Sequence, residues 1–279
     1  VLRFLAIHIA ALPAPARILS FLITLLGLWL PLAAPLYWLL KSSKLSEILV
    51  IALLCGLFIG LIHQWGKRIY GHPALLKHYG LEISQRNGRE VLIGFGMSLA
   101  LIFGLFLLEG ALGWLVWQPP AVVFPWVVIT GVQLAITFGF IEELLFRGWL
   151  LDELQRDYSP QVSLWVNSLL FAILHFLRPL SVILRTWVMF PGLVLLGLTL
   201  VWAKRSTQGR LGFAIGIHAG LICGNYSINT GKLINYTQQV PDWMTGIDQN
   251  PLASMMGLFF LSILALITRR LSLLRVKRA

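Results

Sequence analysis

Residues 125 to 150 read PWVVITGVQLAITFGFIEELLFRGWL, a 26-residue run whose three charges all fall between positions 142 and 147. Wound as an α-helix at about 1.5 Å per residue, a run of this length spans about 39 Å, enough to cross the roughly 30 Å hydrocarbon layer of a bilayer. An ionisable group in that layer costs at least about 2.5 to 3.5 kcal/mol on insertion scales. Glu142, Glu143 and Arg147 are therefore the strongest functional clue in the stretch.

The rest of the chain has the same character. Of its 279 residues 58% are hydrophobic and 12% charged, and the mean hydropathy is +0.82, values that place it among helical membrane proteins. Eight stretches are long and apolar enough to span: 18–40, 46–64, 91–117, 125–150, 161–177, 187–203, 211–229 and 252–268. The expected fold is all-α, a polytopic helical membrane protein with about eight transmembrane helices in a single integral domain over residues 1–279. No internal repeat or low-complexity linker divides it, and its one sizeable soluble loop runs from Gly66 to Glu90.

Alternating the spans assigns the Lys and Arg residues to two sides. One side holds sixteen of them: Arg3, Arg17, the five basic residues from Lys67 to Arg89, Arg156, Lys204, Arg205, Arg210 and the tail from Arg269 to Arg278. The other holds five, Lys41, Lys44, Arg178, Arg185 and Lys232. The positive-inside rule then puts both termini in the cytoplasm. Basic loops against anionic headgroups also account for the net charge of +11, with no nucleic-acid partner needed.

Other features are quieter. Cys55 and Cys223 fall inside predicted spans and read as small apolar core residues, not as a disulfide framework or thiolate metal site. The opening VLRFLAIHIAAL reads as an interfacial segment in preference to a signal peptide, because a full-length span follows directly. Glu109 stands alone near the outer end of its span and reads as structural or interfacial. Tyr236 and Trp243, in the outer loop from Thr230 to Pro251, read as headgroup anchors.

Successive helix residues are offset by about 100°, so Glu142 and Glu143 point in different directions, whereas Glu143 and Arg147, four apart, can meet. Glu143 is the expected ion-pair partner of Arg147. Glu142 is left to act as a general base. Two histidines lie inside spans away from their ends, His175 in LLFAILHF and His218 in FAIGIHAG. Measured from a boundary near Asp152, Gln161 and Arg210, the helix rise puts Glu142 about 15 Å deep, His175 about 21 Å and His218 about 12 Å. One acid and two imidazoles can converge at one membrane level.

Glu142-Glu143-x-x-x-Arg147, Phe171-x-x-x-His175 and a later His218 on a separate helix resemble the three successive motifs of the CPBP family of intramembrane proteases, which includes CAAX prenyl proteases and bacteriocin-processing and abortive-infection proteins. The resemblance covers about residues 125–229. It implies an intramembrane endopeptidase acting on membrane-associated or lipidated peptides within the bilayer. Glu142, Glu143, His175 and His218 then correspond to the catalytic positions, with Arg147 and Phe171 in support. The family's last motif usually carries Asn or Asp four residues after its histidine, and here that position is Ile222. Asn225 and Asn229 follow on the same helical stripe, two and three turns further out.

Peptide-bond hydrolysis needs a water nucleophile, a base, and donors or a metal for the tetrahedral oxyanion. Glu142 with His175 would hold the water while His218 donates to the oxyanion. Alternatively Glu142, His175 and His218 would bind Zn²⁺ with a fourth position left for water. The residues leave both open. No His-Glu-x-x-His or Gly-x-Ser-x-Gly motif occurs, which removes the usual signs of a zincin or a serine hydrolase. Two other classes compete with the peptidase: a catalytically silent membrane scaffold, kept in view by Ile222, and a proton-coupled transporter with Glu142, Glu143 and His175 as its relay.

Overall fold

The computed structural model describes residues 2–41 and 43–276; Lys277 and Arg278, counted above with the basic tail, lie outside the described residues. Helix α1 (Leu2–Ala11) leads into α2 (Ala14–Leu39) and α3 (Lys44–Ile69), and the short α4 (Leu75–His78) precedes α5 (Gln85–Ala111). After strand β1 (Leu115–Trp117), α6 (Phe124–Glu143) continues through a π-helical turn, Leu144–Leu150, into α7 (Leu151–Gln155). Then come α8 (Pro160–Leu174), α9 (Leu180–Thr186), α10 (Phe190–Ser206), α11 (Gly212–Thr230), strand β2 (Ile234–Tyr236), α12 (Asp242–Thr245) and α13 (Met255–Val276).

All eight expected stretches are helical over most of their length, yet among the described residues six helical segments are long and apolar enough to cross a membrane. α8 is 15 residues, about 22 Å. α11 is longer, at 19 residues, but His218, Asn225 and Asn229 lower its hydropathy. It tolerates them because it packs between α5 and α6 and so need not present an apolar face to lipid. Gly212, Gly216, Gly220 and Gly224 recur every fourth residue along its α5 side, and a Cβ on Gly216 would collide with the Val91 carbonyl and the Phe95 amide. This small-residue stripe lets the two backbones approach closely and makes α11 the centre of the bundle.

The outer end departs further from expectation. The 91–117 stretch stops at Ala111, and Gly113, at φ +76°, turns the chain into β1. Strand β1 pairs antiparallel with β2, Leu115 opposite Tyr236 and Trp117 opposite Ile234. The ribbon brings the Tyr236 hydroxyl within 3.3 Å of Glu109 Oε2, and Glu109 is fully buried. Glu109 is thus an interior acid with the Tyr236 phenol as its donor. Trp243 remains 57% exposed.

Cross-element ion pairs tie the opposite end. Arg17 of α2 meets Glu153 of α7 at 2.9 Å, and Tyr70, just after α3, donates to the other Glu153 oxygen at 2.6 Å. Arg210 forks onto Glu90 of α5 through Nη2 at 2.6 Å and Nε at 2.9 Å. The start of α2, the 66–90 loop, the end of α7 and the start of α11 therefore share one side of the layer. In a Cys55→Ala/Cys223→Ala background, cysteines placed at Lys77 and at Arg270 should both escape an impermeant maleimide on right-side-out cells. Strong labelling at either position would reverse the assigned orientation.

Candidate active site

The π turn starts directly after Glu143 and carries Arg147. Arg147 is wholly buried: Nη1 donates to Glu143 Oε1 at 3.1 Å, Nη2 to the Gly197 carbonyl of α10 at 3.3 Å. Its guanidinium also lies 4.3 Å from the Phe171 ring centre, a cation–π arrangement strengthened by exclusion of water. A π turn interrupts the regular α-helical ladder, so carbonyls in it need other donors. Two side chains supply them, Asn167 Nδ2 of α8 to the Phe146 carbonyl at 2.7 Å and Lys204 Nζ of α10 to the Arg147 carbonyl at 2.6 Å. Two neighbouring helices thereby hold the irregular turn in place.

His175 ends α8, and its Nδ1–H donates to the Phe171 carbonyl at 2.7 Å. A carbonyl can only accept, so the neutral ring keeps its proton on Nδ1 and presents a lone pair at Nε2. His218 is arranged in the same sense. Its Nδ1–H donates to Glu143 Oε1 at 2.8 Å. Both Nε2 atoms face Glu142 Oε2, at 3.8 Å from His175 and 3.9 Å from His218. That oxygen is buried and has no hydrogen-bond partner among the described residues. Three acceptors thus face one small space, an arrangement that suits a guest with protons to donate or a positive charge.

His218 stands between the two glutamates, bonded to Glu143 through one nitrogen and turned toward Glu142 with the other. Glu143 accordingly serves two partners, Arg147 and His218, where sequence spacing assigned it Arg147 alone. Phe171 lies beneath Arg147 and against the His175 ring, 4.4 Å between ring centres, so it separates the buried cation from the imidazole.

One carboxylate oxygen and two imidazole nitrogens are also a zinc donor set. Two ligands each about 2.0 to 2.1 Å from a tetrahedral zinc stand about 3.4 Å apart, closer than the 3.8 and 3.9 Å found here. Among the described residues no group of three or more His, Cys, Asp or Glu side chains is arranged to hold a metal ion. The side chains as placed do not fit a tetrahedral zinc.

A cavity of about 280 Å³ opens from these groups, walled mainly by apolar side chains such as Leu101, Phe138, Leu193 and Phe260. Ile222 and Asn225 also line it. Ile222 sits one turn from His218, whereas Asn225 lies about 10.5 Å along the helix from it. Asn229 is engaged elsewhere: its amide donates to Asn225 Oδ1 at 2.9 Å and to the Gln249 carbonyl at 3.1 Å.

Asn167, Gly197 and Lys204 act on or through backbone carbonyls and so leave no motif in the sequence. The four-residue glycine spacing in α11 was the available sign that this helix is interior and that His218 can approach α6.

The family model described as type II CAAX prenyl endopeptidase Rce1-like matches residues 124–222. The match begins with α6, contains Glu142, Glu143, Arg147, Phe171, His175 and His218, and ends on Ile222, which is consistent with the CPBP resemblance. No curated protein and no solved structure matches the chain.

Proposed function

From the Rce1-like segment and the geometry around Glu142, we propose that this chain is an intramembrane endopeptidase that hydrolyses peptide bonds of lipidated or otherwise membrane-associated substrates. The convergence of Glu142 Oε2 with the two imidazole Nε2 atoms at the end of an apolar cavity carries this reading. A water in that space donates one hydrogen to Glu142 and the other to His175 Nε2. As its oxygen attacks the scissile carbonyl carbon, Glu142 takes the proton, and the C–N bond breaks as Glu142 passes that proton to the departing amine. His218, which takes a proton from solvent at Nε2 before the attack and keeps it through the cycle, donates to the oxyanion, and Glu143 at its Nδ1 stabilises the imidazolium. Arg147 and Phe171 hold Glu143 in position. Asn225, too distant for the oxyanion, contacts substrate further along the cavity.

The test uses the purified full chain in detergent with a farnesylated C-terminal peptide, and mass spectrometry to detect the released C-terminal fragment. Failure to cut both this peptide and its unlipidated form, with the protein folded, would sink the peptidase reading. Ile222 provides a second arm. Ile222→Asn places an amide one turn from His218, inside the cavity, where an unpaired donor seeks a partner. Since one oxyanion donor is worth on the order of 10² to 10³ in turnover, this variant should gain activity, by up to about 10². No turnover in either the parent chain or a folded Ile222→Asn would favour the silent scaffold instead.

A further inference from the structure

We propose that a groove between α8, α10 and α13, at the basic end of the bundle, is a binding site for the phosphate headgroup of an anionic phospholipid. The groove encloses about 810 Å³, and its lining includes Lys204, Arg205 and Arg269 but no Asp or Glu among the described residues. The Lys204 ammonium is committed to the Arg147 carbonyl, so the two guanidiniums, Arg205 and Arg269, which have no lining counter-charge, create the demand for an anion. Arg269 is exposed, with its guanidinium 5.9 Å from the centre of the Trp202 ring. Arg205 Nη2 is anchored on the Pro160 carbonyl at 2.6 Å, which fixes the guanidinium while leaving its other N–H groups for a ligand.

Basic residues at a membrane end attract anionic lipid diffusely in any case. This site adds a concave shape and a division of surface that diffuse attraction does not need. Trp165, 46% exposed, and Trp202 flank the cations with indoles, the side chains that favour the headgroup level. Leu164, Leu198 and Leu273 line the same groove and supply apolar wall for the first part of an acyl chain. A lipid satisfies both surfaces, whereas inorganic phosphate satisfies only the cations. The proposal is independent of the peptidase reading.

The test reconstitutes the full chain with equal amounts of phosphatidylglycerol and phosphatidylcholine, then counts retained lipids by native mass spectrometry after transfer to detergent. Phosphatidylglycerol should be retained preferentially. A basic residue held against an anionic headgroup contributes about fivefold in binding, so Arg269→Gln should lower that retention about fivefold and Arg205→Gln/Arg269→Gln about 25-fold. Arg269 makes no structural hydrogen bond among the described residues, so its single variant reads the site even if the double variant folds poorly. Lys67→Gln/Arg68→Gln, at the same basic end but outside the groove, should leave retention unchanged. Equal retention of the two lipids, an equal loss in the Lys67/Arg68 control, or no loss in Arg269→Gln would overturn the proposal. Displacement of the lipid by excess inorganic phosphate would also overturn it, by assigning the groove to a soluble anion.

Discussion

Glu142→Gln is expected to lower turnover by about 10² to 10⁴, the range a general base contributes, while leaving the thermal unfolding of the protein in detergent unchanged. The two halves of this expectation rest on different features of the same side chain. Glu142 is 26% exposed at the cavity and its Oε2 has no hydrogen-bond partner among the described residues, so the fold does not depend on its charge. Glutamine keeps the size and offers an amide that the facing Nε2 lone pairs can accept from. What it loses is the capacity to take a proton from water. Single-turnover cleavage measured beside a melting curve separates these effects. A folded Glu142→Gln variant with full proteolysis would show that the base lies elsewhere.

The legibility of this molecule follows from which constraint acts on each part. Membrane helices are visible because hydrocarbon demands long apolar runs, and α2, α3, α5 and α6 follow that demand closely. α11 is the instructive exception: it reads as a span by length, yet its glycines and polar residues answer to protein neighbours instead of lipid. The β1–β2 ribbon escaped notice because each strand has three residues and its partner lies over a hundred positions away, too short for a period to show. Within the site, depth along a helix follows from a count of residues, so the common level of Glu142, His175 and His218 is readable. Rotation of α11 about its axis is not. That rotation is what inserts His218 between the glutamates. The π turn was equally invisible, since LLFRGWL carries no break in pattern and its stabilising donors, Asn167 and Lys204, come from other helices.

Arg147→Gln should destabilise the protein by about 3 to 5 kcal/mol, because it leaves a buried carboxylate without its counter-charge. Glu143 is fully buried and its Oε2 has no hydrogen-bond partner among the described residues, so the carboxylate would keep only the hydrogen bond from His218 Nδ1. Glu143→Gln should cost a similar amount through the stranded guanidinium, whose Nε is likewise buried and without a hydrogen-bond partner among the described residues. The double variant, Glu143→Gln/Arg147→Gln, strands neither charge and should be destabilised by clearly less than the sum of the singles. Unfolding in detergent, followed for all four members of the cycle, measures that difference directly. Activity adds a second axis, because Glu143 also bonds His218 while Arg147 does not. The amide introduced by Glu143→Gln can still accept from His218 Nδ1 but no longer stabilises a positive imidazole, so the double variant should recover stability without recovering turnover. Additive losses would mean that the two side chains do not act as a pair, and that Arg147 acts chiefly through the Gly197 carbonyl and the Phe171 ring. Recovery of turnover along with stability would remove Glu143 from the proton chemistry and leave it a packing role beside the base.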